Sequence, residues 1–118
     1  MHNFKELKVW REGINLVKAT YKVTKTFPSE EKFSLTTQIN RSAVSIPSNI
    51  AEGAGRGSSD KDFINFLRMA YGSSCELETQ LIISKELDFI PVEDFEKLEK
   101  RIHVIQKMIY QLIKSMGG

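Results

Sequence analysis

The sequence predicts an all-α protein, an antiparallel up-down four-helix bundle, and three observations carry that prediction. Apolar residues recur every three or four positions in four separate stretches. Turn-forming residues separate these stretches: Pro28 after the first, GAGRG at 53–57 after the second, and Pro91 before the fourth. No stretch reads as a strand. Four amphipathic helices with short connections fold most simply as a bundle around one core. At 118 residues, a single domain spanning 1–118 buries about two-thirds of its unfolded surface.

The first helix carries Leu7, Trp10, Ile14, Val17, Tyr21 and Thr24 as one row, and Val9, Leu16 and Val23 as a second. Together the rows span roughly 200° of helix surface, wider than the ~100° stripe that one buried face needs. The expectation is that Val9, Leu16 and Val23 form a contact with a second copy, because contiguous apolar patches mark association surfaces. The second helix runs from about Ser34 to Gly53, with Leu35, Ile39, Ala43, Ile46 and Ile50 on one face. Three glycines within GAGRG then favour a turn. Ser59 is the expected N-cap of the third helix, and Asp60 and Asp62 suit its positive end. That helix reads through Phe63, Leu67, Ala70, Leu77 and Leu81 to about Leu87. Its small residues Ala70, Gly72, Ser73, Ser74 and Cys75 suggest a close-packing seam. In the fourth helix Phe95, Leu98, Ile102, Ile105, Ile109, Leu112 and Met116 keep a heptad pattern, which favours the ~20° crossing of a bundle.

Pro47 interrupts the second helix, where a proline costs about 3 kcal/mol. The helix either restarts near Ser45 or continues through a kink. The apolar row crosses Pro47 in phase (Ile39, Ala43, Ile46, Ile50), which favours the kink, with nearby Ser and Asn side chains bonding the freed carbonyl.

Composition excludes several classes. No apolar run reaches the ~20 residues that span a bilayer, so no membrane role is expected. The N-terminal stretch MHNFKELKVW lacks an apolar signal region, and the single cysteine, Cys75, fits a reducing compartment. A cytoplasmic protein is expected. The histidines are His2 and His103 alone; no HExxH or Glu-x-x-His motif occurs, and Cys75 has no partner at ligand spacing. Glu99 precedes His103 by four residues, an ordinary surface-charge spacing. A Cys75–His103 nucleophile pair lacks its third group. GAGRG lacks the preceding strand and the Gly-Lys-Ser/Thr ending of a phosphate loop. Neither catalysis, nor a cofactor, nor a metal site is expected.

The net charge of +2 hides an uneven distribution. Residues 1–25 hold Lys5, Lys8, Arg11, Lys18, Lys22 and Lys25 against only Glu6 and Glu12. Lys8, Arg11, Lys18 and Lys22 fall within roughly 80° of the first helix, a stripe suited to a phosphate backbone through salt-dependent attraction. No aromatic residue interleaves that stripe, so backbone and shape contacts with RNA are expected over base stacking.

QINRSAVSIPSNIAEGAGR followed by DFINFLRMAYGSSCELE resembles the four-helix-bundle family of 23S ribosomal RNA intervening-sequence proteins, also called the S23 ribosomal protein family. SIPSNIAEG at 45–53 is the densest part of the likeness, which covers nearly the whole chain. The resemblance implies a small bacterial protein that assembles as a homopentamer and is associated with ribosomal RNA. A related group, the accessory proteins of diversity-generating retroelements, is similar in fold and assembly. Carried onto this chain, the family's polar signature falls on Arg41, Asn49, Glu52, Gly53 and Arg56. Arg41 and Glu52 share a helix face and are expected to act as a polar clamp toward Glu76 or Glu78, or toward a neighbouring subunit.

The function expected is therefore a non-enzymatic, self-assembling bundle that contacts structured RNA through the first helix. The alternative is an oligomeric protein-binding adaptor without nucleic-acid affinity. A third class, an enzyme whose site forms between subunits, would leave no single-chain motif.

Overall fold

The computed structural model describes residues 3–32, 34–57 and 59–118. Four helices follow in chain order: α1 (Lys8–Thr24), α2 (Leu35–Gly55), α3 (Asp60–Glu86) and α4 (Val92–Ser115). Short 3₁₀ turns at Phe4–Glu6 and Ser29–Glu31 precede α1 and α2, and no strand occurs among the described residues. Each helix packs against the next, and α1 closes the circle against α4. The body measures 43 × 23 × 20 Å. His2 and Ser58 of the GAGRGSS turn lie outside the described residues.

Three of the helices bury the rows their spacing announces. Ile39, Ala43, Ile46 and Ile50 of α2 are fully enclosed, as are Leu67, Ala70 and Leu77 of α3. Phe95, Leu98, Ile102, Ile105 and Ile109 of α4 complete the centre, while Leu112 and Met116 pack against its edge. Ser59 caps α3 as expected, its Oγ accepting from the Asp62 amide at 3.1 Å. The α3–α4 turn closes with Phe89 N–H on the Ser84 carbonyl and Asp88 N–H on the Lys85 carbonyl. Asp88 there takes the left-handed conformation (φ 62°) that this helix end requires.

Helix α1 departs from the expectation. Its buried row is Val9, Gly13, Leu16, Thr20 and Thr24, so Val9 and Leu16, expected at an oligomer contact, lie inside the chain's own core at 4% and 0% exposure. Val23 also packs partly against that core. The cause is steric. A Cβ on Gly13 would stand 3.2 Å from Pro47 Cβ, so α1 approaches α2 closely only along the face that carries this glycine. The hydroxyl of Thr20 donates to the Leu16 carbonyl at 2.8 Å, which removes the cost of burying it. The more apolar row of Trp10, Ile14, Val17 and Tyr21 is left half-buried or exposed.

Pro47 lies inside one continuous helix and is buried, so α2 does not break and restart there. Asn49 Nδ2 donates to the Ser45 carbonyl at 2.8 Å. It does not serve the Ala43 carbonyl, which is the one a proline at 47 leaves free. The seam expected in α3 is only partly real. Ala70 and Ser74 are buried, but Gly72 faces open space, and the tight approach falls at Gly53, where an added Cβ would stand 2.6 Å from Phe66 Cβ.

Candidate nucleic-acid interface

The 3.6-residue turn of α1 puts Lys18, Tyr21, Lys22 and Lys25 on its outer side, next to α4. All four are exposed. With Asn15, Val17, Ala19 and Arg101 of α4 they line an open groove of about 630 Å³. A second groove, about 640 Å³, adjoins it and shares Ala19, Lys22 and Arg101. The second adds Lys97 and Lys100 from α4, with Asp94 as the one carboxylate on its wall. Six cations thus converge from two helices: Lys18, Lys22 and Lys25 from α1, and Lys97, Lys100 and Arg101 from α4. Among the described residues, none of the six is held in an ion pair. A cleft lined by one sign of charge concentrates its potential and draws in the opposite charge.

Of the four cations expected to act together, only Lys18 and Lys22 line these grooves. Lys8 and Arg11 are exposed nearer the start of α1, and the Arg11 guanidinium lies over the Trp10 ring, 4.9 Å from its centroid. The contribution of α4 was missed because Glu96 and Glu99 interleave its basic residues in EKLEKR at 96–101. Spacings of three and four place Lys97, Lys100 and Arg101 together, while Glu99 turns toward Glu78 and His103. Tyr21 corrects the expectation of a stripe without aromatics. At 42% exposure it sits in the groove wall between the lysines and is not a core residue.

The expected polar clamp is not one cluster. Arg56 folds over the α2–α3 turn, with Nε 3.0 Å from Asp62 Oδ2 and Nη1 3.5 Å from Glu52 Oε2. Its guanidinium also lies 5.3 Å from the Phe66 ring centroid. Glu52 therefore pairs with Arg56 and not with Arg41. Asn49 serves Ser45 within α2. Arg41 is exposed and faces a separate polar recess with Gln38, Ser42, Ser45, Glu76 and Gln80. There Ser42 Oγ donates to Glu76 Oε1 at 3.1 Å, and Ser45 and Ser73 hydroxyls meet at 2.8 Å.

A sequence model of the 23S rRNA-intervening sequence protein family matches residues 5–111. The chain belongs to that family. Among solved structures, a protein of unknown function from the S23 ribosomal protein family of Bacteroides thetaiotaomicron VPI-5482 is 29% identical. It covers 90% of this chain and 98% of its own, with a TM-score of 0.82. No curated protein matches the chain. The family and this neighbour indicate no enzymatic class.

The motifs weighed for chemistry in this family member resolve into structural contacts. The α3 N-terminus is served by Ser59, and the adjacent Arg56 is already engaged by two carboxylates. Of GAGRG, Gly53, Ala54 and Gly55 form the last turn of α2, which runs two residues past its expected end, and only Arg56 and Gly57 belong to the connection. Cys75 is exposed and accepts a long contact of 3.8 Å from Gln106 Nε2. His103 is held instead by Glu78. Among the described residues, no helix is long and apolar enough to cross a membrane.

Proposed function

We propose that this member of the 23S rRNA-intervening sequence family is a non-enzymatic, self-assembling bundle that binds structured RNA along the α1–α4 grooves. The observation that carries the reading is the convergence of six unpaired cations from α1 and α4 around exposed Tyr21. The lysines and Arg101 supply backbone contacts, and Tyr21 supplies a platform on which an unpaired base can stack. The family's link to ribosomal RNA, carried in its name, supports the same reading. A reducing, cytoplasmic setting agrees with the exposed Cys75 thiol.

Assembly into a homo-oligomer, a pentamer by family resemblance, would repeat the basic surface around a ring. Large apolar side chains outside the core agree with further association, notably Ile83, Leu87 and Val92 about the α3–α4 turn, at 43%, 54% and 58% exposure. We also infer that neighbouring helices run antiparallel. Contacts support this: Ser42 meets Glu76 while Ser45 meets Ser73, and Ser74 meets Gln106 while Glu78 meets His103. A bend at Pro47, where one backbone donor is missing, would let α2 curve around Gly13.

The test is fluorescence anisotropy with a labelled RNA hairpin carrying a single-stranded loop. If all six cations engage phosphates, affinity falls by about two to three orders of magnitude between 50 and 200 mM salt. Replacing Lys97, Lys100 and Arg101 by Ala is expected to weaken binding as much as replacing Lys18, Lys22 and Lys25, with a shallower salt slope in both. Affinity that ignores salt and both triple substitutions would overturn the reading and favour the protein-binding adaptor. A light-scattering mass of 13.5 kDa in dilute solution would overturn the assembly.

A further inference from the structure

On the α3–α4 seam, the side chains of Glu78, Glu99 and His103 meet. Each offers a ligand atom, and these atoms lie within 4.8 Å of one another. His103 Nε2 stands 3.0 Å from Glu78 Oε2. Glu99 and His103 are one turn apart on α4, so both project from the same face, and Glu78 reaches them from α3. Glu78 is held from the core side, while His103 is exposed. Gln106 Nε2 donates to Glu78 Oε1 at 3.5 Å and to Ser74 Oγ at 3.1 Å, and Ser74 is fully buried. Glu78 is thereby tied, through one amide, to a hydroxyl fixed in the core. Supporting hydrogen bonds of this kind orient the ligands of a metal site.

Charge gives the second reason. Glu78 and Glu99 are both half-buried, and among the described residues neither is paired with a lysine or arginine. Two carboxylates thus lie close together beside an imidazole, an arrangement that favours a bound cation. Lys97, Lys100 and Arg101 of α4 line the basic grooves instead.

We propose that Glu78, Glu99 and His103 bind a divalent transition-metal ion, zinc by donor type, that staples α3 to α4. One imidazole and two carboxylates suit zinc, whereas magnesium and calcium prefer all-oxygen sets. Zinc bonds of about 2.0–2.2 Å place tetrahedral ligands roughly 3.3–3.5 Å apart. The 3.0 Å separation of His103 and Glu78 already approaches that spacing, and a rotamer adjustment of Glu99 closes the third edge. Water completes the shell on the solvent side. The site uses none of the residues that line the basic grooves, so it stands apart from the RNA reading.

The experiment uses the full chain, stripped with chelator and titrated with zinc chloride and, separately, cobalt chloride. Calorimetry, thermal unfolding and the visible cobalt spectrum are the readouts. One ion per chain is expected, with a melting temperature that rises with free zinc. His103→Ala and Glu99→Gln should each lower affinity at least tenfold, and Gln106→Ala about tenfold through loss of orientation. His2→Ala and Cys75→Ser should leave binding unchanged. Circular dichroism of the metal-free variants separates lost binding from lost folding, and the mild Glu99→Gln change preserves the test if His103→Ala misfolds. No thermal shift, binding that survives His103→Ala, or binding lost in Cys75→Ser would each overturn the proposal.

Discussion

Helix α1 turns two contrasting faces to its surroundings. Its inward face holds Val9, Gly13, Leu16, Thr20 and Thr24, a set with only two large apolar side chains. Its outward face holds Val17 and Tyr21 among Lys18, Lys22 and Lys25. The enclosed face is the one that carries Gly13, Thr20 and Thr24, while Trp10 and Val17 are only partly buried against the core. Burial here follows shape. Gly13 lets Pro47 come within van der Waals range, and Thr20 closes its hydroxyl on its own helix. The aromatic ring left outside sits among cations that, among the described residues, have no ion-pair partner.

The sharpest way to break this contrast is to empty the inward face. Leu16 is fully enclosed, so Leu16→Ala is expected to destabilise the chain by about 2–5 kcal/mol, read by urea unfolding. Were Leu16 instead part of a contact between copies, the same change would lower the assembled mass and leave monomer stability nearly untouched. Gly13→Val drives a branched side chain toward Pro47, and a loss of about 1–3 kcal/mol is expected from overpacking. If Gly13→Val is neutral, the close approach is not what selects this face.

The two faces also mark the limit of what the sequence discloses. In α2, α3 and α4 the core rows are mainly Ile, Leu, Phe and Ala at helical spacing, with Ser42, Ser74, Gln80 and Ser84 among them, and periodicity finds them because hydrophobicity and burial largely coincide. In α1 they diverge. A row holding Gly13 and Thr20 looks polar until the partner helix is in place, so periodicity alone points Leu16 outward and Tyr21 inward. The candidate site was legible in half. Lys18 and Lys22 stand out in a stretch with few acids. Lys97, Lys100 and Arg101 are masked by Glu96 and Glu99, of which Glu99 turns toward Glu78 and His103 once α4 is wound. That these two clusters meet depends on α1 packing against α4, which no local pattern encodes. Likewise a shared helix face suggests a clamp of Glu52 with Arg41, but Glu52 pairs one turn along its own helix with Arg56, which also meets Asp62.

Tyr21 offers the finest test of the contrast, because it belongs to the outward face alone. Its side chain is 42% exposed, and removing it should change folding stability by no more than about 0.5 kcal/mol. Base–aromatic stacking is worth about 1–3 kcal/mol per base, so Tyr21→Ala is expected to weaken binding of the loop-bearing hairpin at least about fivefold. Tyr21→Phe keeps the ring and should retain affinity within about twofold. A fully paired duplex, which has no free base to stack, should bind wild type and Tyr21→Ala alike through the cations. Equal losses on both RNAs would reduce Tyr21 to a spacer between lysines. A loss confined to the hairpin would mean that the residue the core leaves exposed is the one that distinguishes an unpaired base from a paired one.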